Sequence, residues 1–149
     1  MTLTPFLPRD LGELDCGGAQ IGYADHMPCI DEDISESELL RRYNSGQRRF
    51  CNLDITADGS DALEGACLDG IELTESFLTA SLRGASLKGA VIHANVKTCD
   101  FSNADLTGSD FRWSALCSAT FVGANMHGAD FTGASVHSYK LKEGELPDW

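Results

Sequence analysis

The sequence is poor in basic residues. Its 149 residues include 11 lysines and arginines against 23 aspartates and glutamates, which gives a formal net charge of −12. Because a surface of this sign repels phosphates, direct binding to nucleic acid is disfavoured. No apolar run is long enough to span a membrane, and the opening MTLTPFLPRD lacks the basic and apolar regions of a secretory signal. We therefore expect a cytoplasmic protein that does not enter a membrane.

Sequence motifs that carry catalysis are also missing. There is no GxSxG, no P-loop and no GxGxxG that opens a helix. No CxxC and no zinc-type spacing of cysteine and histidine occurs. The run DGSD at residues 58–61 lacks the later glutamate of a calcium loop. We expect a protein that is not an enzyme and that binds no cofactor or metal.

The sequence does contain a tight repeat between residues 63 and 136, in which a small residue, any residue and a large apolar residue recur about every five positions. The large positions are all apolar: Leu63, Leu68, Leu73, Leu78, Leu82, Leu87, Ile92, Val96, Phe101, Leu106, Phe111, Leu116, Phe121, Met126, Phe131 and Val136. This period does not fit the 3.6 residues per turn of an α-helix.

The repeat predicts a chain that turns after every five residues. In extended backbone, residues two apart point to the same side, so the small and large positions both face inward. An odd period would turn the inward face outward at the next repeat unless the chain bends there, and glycine, asparagine and aspartate suit such corners. Four corners close a square coil of about twenty residues, and such coils stack at roughly 4.8 Å.

Grouping every fourth repeat supports this arrangement, because like residues then stack on like. One face collects Leu63, Leu82, Phe101 and Phe121, and the opposite face collects Leu73, Ile92, Phe111 and Phe131. The repeat shortens by one residue between Leu78 and Leu82 and again between Ile92 and Val96. Residues 56–61 break the pattern.

The triplets ANV, CDF, ADL, SDF, ANM and ADF follow the pattern A(D/N)Lxx. In these residues the chain resembles the pentapeptide-repeat family. The resemblance implies an all-β solenoid, a right-handed quadrilateral β-helix of about four coils with an N-terminal α-helical cap. It also implies possible roles, because some members bind DNA gyrase as acidic, DNA-shaped dimeric rods and others regulate cyanobacterial differentiation.

The rest of the chain divides into short segments around one domain. Residues 1–33 are expected to be an arm or loop, residues 34–46 a capping helix, residues 47–141 the β-helix and residues 142–149 a tail. Ser35 and Glu38 form a capping box and Gly46 stops the helix. At the other end, Tyr139, Leu141 and Trp149 are candidates to cover the last coil.

Two interpretations of the six cysteines stay open. Cys99 takes an inward small position, whereas Cys67 and Cys117 are expected to face outward. A disulfide that links Cys16 to Cys29 or to Cys51 would pin the arm and serve as a redox switch. Free thiols are the alternative, and they are favoured in a reducing cytoplasm.

The leading hypothesis is a non-catalytic module that binds an unknown protein partner. Trp113 replaces the usual corner glycine, Arg112 is its neighbour, and Phe77 is predicted to face outward, so these three are candidate contacts. Asp100, Asp105 and Asp110 occupy outward positions on three successive faces. Two interpretations are open for these aspartates. They form the surface of an acidic rod that mimics DNA and binds a protein such as gyrase, or they only stabilise corner turns and keep the protein soluble. Four coils make a rod of only about 20 Å, so a monomer is favoured over an end-to-end dimer.

Overall fold

The computed structural model describes residues 31–147 of the chain. Most of the predicted arm, residues 1–30, lies outside the described part, as do residues 148–149. The expectations for Cys16, Cys29 and Trp149 therefore fall outside it. Within residues 31–147, no helix has the length and apolar character needed to cross a membrane.

The described residues form one helix and seven short strands, joined by many turns. In chain order these are β1 (Glu32–Ser35), α1 (Glu36–Asn44), β2 (Arg49–Cys51), β3 (Leu53–Thr56), β4 (Glu72–Thr79), β5 (Val91–Asn95), β6 (Ser135–Val136) and β7 (Tyr139–Lys140). All pairings among β1 to β5 are parallel, and β6 pairs with β7 antiparallel.

The chain winds into stacked levels, and from residue 67 onward most equivalent positions in neighbouring levels are 19 or 20 residues apart. Parallel bridges join Ser81 to Asp100 and Asp100 to Thr120, for example. We call residues 61–79, 80–98, 99–118 and 119–137 the first to fourth levels. Strands β2 and β3 pair with β4 and add two sides of a further level before the first.

Strand β1 extends the stack beyond the predicted β-helix. It occupies Glu32–Ser35, where the sequence analysis placed the end of the arm and the start of the helix, and it pairs with β3. Ile34 aligns with Ile55 in this pair, and both side chains are buried. Burial of this apolar pair explains why the segment is a strand.

The corners explain why small residues and aspartate recur. The backbone N–H of Ala104 donates to the carbonyl of Phe101 at 3.0 Å, which closes a four-residue turn. The third residue of that turn, Asn103, has φ +61°, a left-handed conformation that glycine and asparagine adopt most easily. The Asp105 carboxylate accepts the backbone N–H of Thr107 at 3.1 Å within the next repeat. The repeated aspartate therefore stabilises the turn that follows it.

The core is a column of apolar side chains that contains two phenylalanine stacks. Phe101 and Phe121 stack with ring centroids 5.0 Å apart and an interplanar angle of 4°, and Phe111 and Phe131 stack at 5.0 Å and 16°. The two stacks meet edge to face, with Phe101 and Phe111 at 5.6 Å. All four side chains are buried, as the repeat predicts.

Ser35 caps the N-terminus of helix α1, because its hydroxyl oxygen accepts the backbone N–H of Glu38 at 3.1 Å. A capping box would also have the Glu38 side chain accept the backbone N–H of Ser35. Instead, the Glu38 carboxylate accepts hydrogen bonds from Arg41 and Arg42 at 2.6–2.7 Å. Leu39 and Tyr43 are buried on the side of the helix that joins the core. The helix is shorter than the predicted span of residues 34–46.

Glu36, in the first turn of α1, is a buried acid. Its Oε1 accepts the backbone N–H of Asp58 at 3.2 Å, and its Oε2 has no hydrogen-bond partner among the described residues. Burial raises the pKa of Glu36, and the nearby carboxylates of Asp58 and Asp61 raise it further. This carboxyl ties the loop that contains Asp58 to the helix.

The last level is covered in part by the chain that leaves it. Leu141 is buried, donates its backbone N–H to Ala134 at 2.9 Å and accepts that of Gly133 at 2.8 Å. Tyr139, the other described candidate for this role, is exposed, and its hydroxyl donates to Glu145. Leu141 therefore contributes to this cover, whereas Tyr139 lies on its outside.

Replacing an inward alanine tests the core. Ala104→Leu should destabilise the protein by about 1–3 kcal/mol, because the larger side chain has no room between facing walls. Thermal or urea unfolding measures the loss. Ala62→Leu is the matched control, since Ala62 lies at the outward position before Leu63 and is half-exposed. Equal stability of the two variants would contradict the inward assignment of Ala104.

Replacing Glu36 tests the buried carboxyl. The pKa of Glu36 in the folded protein is raised above the ordinary 4.5. The stability that the protonated carboxyl contributes is therefore fully present below pH 4.5, and it is lost as the pH rises through the pKa of the folded state. Glu36→Gln cannot ionise, so its melting temperature should match that of the wild type at pH 4 and exceed it at pH 8. A difference between the two proteins that does not change with pH would contradict this.

Candidate interaction surface

A shallow recess opens at one corner of the stack, where the second level is shortened. Thr74 aligns with His93, which is 19 residues later, but Phe77 aligns with Asn95, which is only 18 residues later. The second level is thus one residue shorter at this corner, and it has no counterpart of the corner residues Glu75 in the first level and Trp113 in the third. The recess has a volume of about 330 Å³, and we call it the notch. Its lining is Glu75, Ser76, Phe77, His93, Ala94, Asn95, Trp113 and Ala115.

Trp113 forms one end of the notch and lies against the fourth level. A Cβ on Gly133 would come within 2.2 Å of two atoms of the Trp113 six-membered ring, so the ring lies directly over this glycine. The Trp113 side chain still has 67% of its surface exposed. The ring is therefore both positioned by the fold and open to a partner.

The backbone at the two corners that bound the notch is left-handed without glycine. Trp113 has φ +66° and Glu75 has φ +50°, and this conformation costs an ordinary L-residue roughly 1–2 kcal/mol. Glycine occupies the equivalent conformation at many other corners, such as Gly108 at φ +66°. Thr98, Ser118 and His137 adopt the same conformation at φ +62°, +62° and +56°, so Trp113 is distinguished at its corner by the size and exposure of its side chain.

Phe77 lies on the adjacent face and is 57% exposed. It sits within β4, where its alignment with Asp54 of β3 places it at an outward position. A bulge between Thr74 and Phe77 shifts the register of β4 against β5 at this point. The structure thus brings together Phe77 and Trp113, two of the candidates that the sequence suggested.

Arg112 and Asp110 are also close to the notch, but they pair with each other. Arg112 donates from Nε and Nη2 to the Asp110 carboxylate at 2.9 and 2.7 Å, and His93 Nε2 lies 3.1 Å from Asp110 Oδ1. Burial alone would raise the pKa of Asp110, but the hydrogen bonds from Arg112 and the nearby imidazole of His93 bring it below its ordinary value. This cluster is already neutralised in large part.

Three other carboxylates near the notch have no cationic partner among the described residues: Asp33, Asp54 and Glu75. All three residues are exposed. Asp33 aligns with Asp54, and Asp54 aligns with Phe77, so two acids and the aromatic ring follow one another along one face. Lys97 is the nearest exposed lysine in sequence, two residues beyond Asn95. The notch is therefore bordered by aromatic side chains, and the surface beyond Phe77 toward β1 is acidic.

Asp100, Asp105 and Asp110 do not form one surface. They align with Ser81, Ser86 and Val91, respectively, on three different sides of the same level. Each accepts the backbone N–H two residues later, in Ser102, Thr107 and Arg112. Only Asp110 lies beside the notch.

The cysteines divide into two groups. Cys99 and Cys117 are free, and burial raises the pKa of Cys99 to about 12, so its thiol is unreactive at neutral pH. Cys51 and Cys67 are disulfide-bonded, and for these two the expectation of free thiols is wrong. The proposed involvement of Cys16 and Cys29 concerns residues outside the described part.

Residues 31–147 contain no group of three or more His, Cys, Asp or Glu side chains that could hold a metal ion. The sequence analysis missed Glu75, His93 and Asn95 as neighbours of Trp113. The four-residue spacing from Ile92 to Val96 was a signal for them, since a shortened repeat must withdraw one corner of the stack.

The contact of Trp113 with Gly133 can be tested by Gly133→Ala. The added methyl group must displace the ring, so the fluorescence of Trp113 should shift, measured in a Trp149→Phe background. Gly128→Ala is the matched control: Gly128 has a similar φ of +72°, but its nearest new contact is the Gly108 backbone at 3.7 Å. Both variants should lose about 1 kcal/mol of stability from backbone strain. Only the first should change the fluorescence, and an unchanged spectrum there would contradict the packing.

Comparison with known proteins places the repeats in a family. The family model of pentapeptide repeats matches eight copies, over residues 80–121 and 97–133. A solved pentapeptide repeat protein from Nostoc Pcc 7120 is 29% identical, with 78% of this chain and 92% of that chain covered and a TM-score of 0.36. Another, from the Arabidopsis thaliana thylakoid lumen, is 23% identical, with 82% and 78% covered and a TM-score of 0.26. None of the curated proteins matches.

The repeat pattern, the stacked levels with most of their small and large positions buried, and the family match agree. Residues 80–133 therefore consist of repeats that match the pentapeptide-repeat family.

Proposed function

We propose that this protein is a non-catalytic module that binds another protein through the notch. The observation that carries the proposal is the pair of exposed aromatic side chains, Phe77 and Trp113, at a recess in the solenoid wall. Tryptophan is enriched among the residues that dominate binding energy at interfaces. Repeat solenoids commonly use their long faces for partners.

The backbone strain at Trp113 supports this use. A glycine at this corner would remove the strain, and the fold uses glycine for that purpose at equivalent corners. The tryptophan also leaves most of its apolar surface in water. Both costs are understandable if the ring is kept for contact with a partner rather than for the stability of the free protein.

The DNA-mimic alternative has weaker support. A mimic of duplex DNA needs carboxylates along one binding face, whereas Asp100, Asp105 and Asp110 lie on three sides of one level. Each also accepts a backbone hydrogen bond within its own repeat. A gyrase supercoiling assay tests this alternative, and inhibition at micromolar protein would restore it.

A redox-responsive regulator is the second candidate, because Cys51 and Cys67 are disulfide-bonded. Reduction by a cellular dithiol would break the S–S bond and yield two thiols, while the dithiol gives up two electrons and two protons and becomes a disulfide. Release of Cys51 would remove one covalent restraint on β2, which stays paired with β4. Equal thermal stability and equal electrophoretic mobility with and without reductant would contradict this candidate.

Affinity purification from cells that contain the native protein tests the leading proposal. Proteins that bind the wild type should be lost with Trp113→Ala and with Phe77→Ala. Val122→Ala is the matched control, because Val122 is 63% exposed but lies outside the notch. A partner recovered in this way is then purified, and its Kd is measured for each variant. A partner that binds Trp113→Ala and Phe77→Ala as tightly as the wild type would exclude the notch.

Two substitutions of Trp113 separate stability from binding. Glycine tolerates the left-handed backbone that alanine does not, so Trp113→Gly should be more stable than Trp113→Ala by about 1 kcal/mol, measured by urea unfolding. In a regular helix or strand the alanine variant is normally the more stable of the two, so this prediction reverses the usual order of stability. Both variants should lose the partner equally. A partner that still binds Trp113→Gly would show that the ring is not the contact.

A further inference from the structure

We propose that the notch binds an arginine side chain of an extended segment in the partner protein. The inference rests on the proposed function, since it assumes that the notch is the docking surface. It adds the chemistry of the occupant. Three features of the described residues favour a guanidinium group: unpaired negative charge, exposed aromatic surface and a small floor.

The charge near the notch is not balanced from within the protein. Arg112 is held by Asp110 in a two-point contact, and Arg49 lies 3.2 Å from Glu72. Glu75, Asp54 and Asp33 have no cationic partner among residues 31–147. Because Asp33 and Asp54 align on neighbouring strands, about 4.8 Å separates their backbones. A partner cation placed there would relieve the repulsion between these two carboxylates.

The aromatic surface selects among cations. Trp113 and Phe77 expose 67% and 57% of their surfaces, and a cation over such a ring is attracted by its π electrons, most strongly over tryptophan. A planar guanidinium stacks on an aromatic ring and is more weakly hydrated than an ammonium group. Arginine is therefore favoured over lysine.

The floor of the notch limits the size of the occupant. It includes Ser76, Ala94 and Ala115, which are small, and the recess of about 330 Å³ lies at the lower end of ligand-binding volumes. A single long side chain suits this space better than a folded element does. Phe77, Asp54 and Asp33 also follow one another along the stacking direction, which suits an extended segment.

Blocked hexapeptides test the inference on the full-length chain. Acetyl-GRGRGR-amide, its lysine counterpart and its citrulline counterpart are titrated by calorimetry at low ionic strength. Citrulline keeps the shape of arginine but carries no charge. We expect the arginine peptide to bind at least tenfold more tightly than the citrulline peptide and several-fold more tightly than the lysine peptide. Its affinity should fall as salt is added.

Variants locate the binding. Trp113→Ala should weaken the arginine peptide at least tenfold, and Glu75→Gln combined with Asp54→Asn should reduce its affinity toward that of the citrulline peptide. Glu143→Gln is the control, because this exposed glutamate lies in the C-terminal segment and outside the notch. It should bind as the wild type does. Unchanged melting temperatures for the exposed carboxylate variants show that the fold is intact.

Several results would overturn the inference. Equal affinity for arginine and lysine peptides, unaffected by Trp113→Ala, would mean that the acidic protein only attracts cations. Equal affinity for arginine and citrulline peptides, lost in Trp113→Ala, would reject the guanidinium chemistry but leave the proposed function standing. A wild-type dimer that Trp113→Ala dissociates in sedimentation would make a second copy the occupant. No binding of any peptide at millimolar concentration would also reject the inference.

Discussion

The fold depends on one constraint: the chain must turn after each inward pair of residues while its backbone stays paired with the levels above and below. The turn is closed by the hydrogen bond from the small residue back to the previous large residue, as from Ala104 to Phe101. The pairing is carried by bonds such as that from Leu106 to Asn125 at 2.7 Å. Because both sets of bonds fix the backbone, the inward positions admit little variation in size, and the outward positions are free to vary.

Because outward positions vary independently of inward ones, the surface can form a recess without a change in the core. The notch requires only that one level be shorter at one corner, and the buried Ile92 and Val96 on either side keep their places in the column. Trp113 then replaces a glycine-like corner residue and lies over Gly133, where the absence of a Cβ leaves room for its ring. A local change in spacing and two corner residues are therefore enough to build a recess on an otherwise regular wall.

The core was predictable from the sequence because it follows from a period. The stacking of Phe101 on Phe121 and the burial of the small positions needed only the alternation of side chains and the five-residue repeat. Contacts outside the repeat were not predictable in this way. The pairing of β1 with β3 joins segments about twenty residues apart across a helix, and the disulfide bonding of Cys51 and Cys67 depends on proximity that no spacing reveals. The bond between Arg112 and Asp110 depends on a side-chain rotamer, and composition does not report it.

The net charge of −12 is spread over the sides of the stack and does not by itself mark one face for a partner. Aspartates such as Asp105 and Asp130 are held by N–H groups of their own repeat, and hydrogen bonds from Thr107 and Thr132, respectively, lower their pKa. Such carboxylates recur because each stabilises a turn, and they are distributed on all sides of the stack. The acids that distinguish one face are those without such a partner. Near the notch these are Asp33, Asp54 and Glu75. Their position beside exposed aromatic rings, rather than the total charge, favours this face of the solenoid as the binding surface.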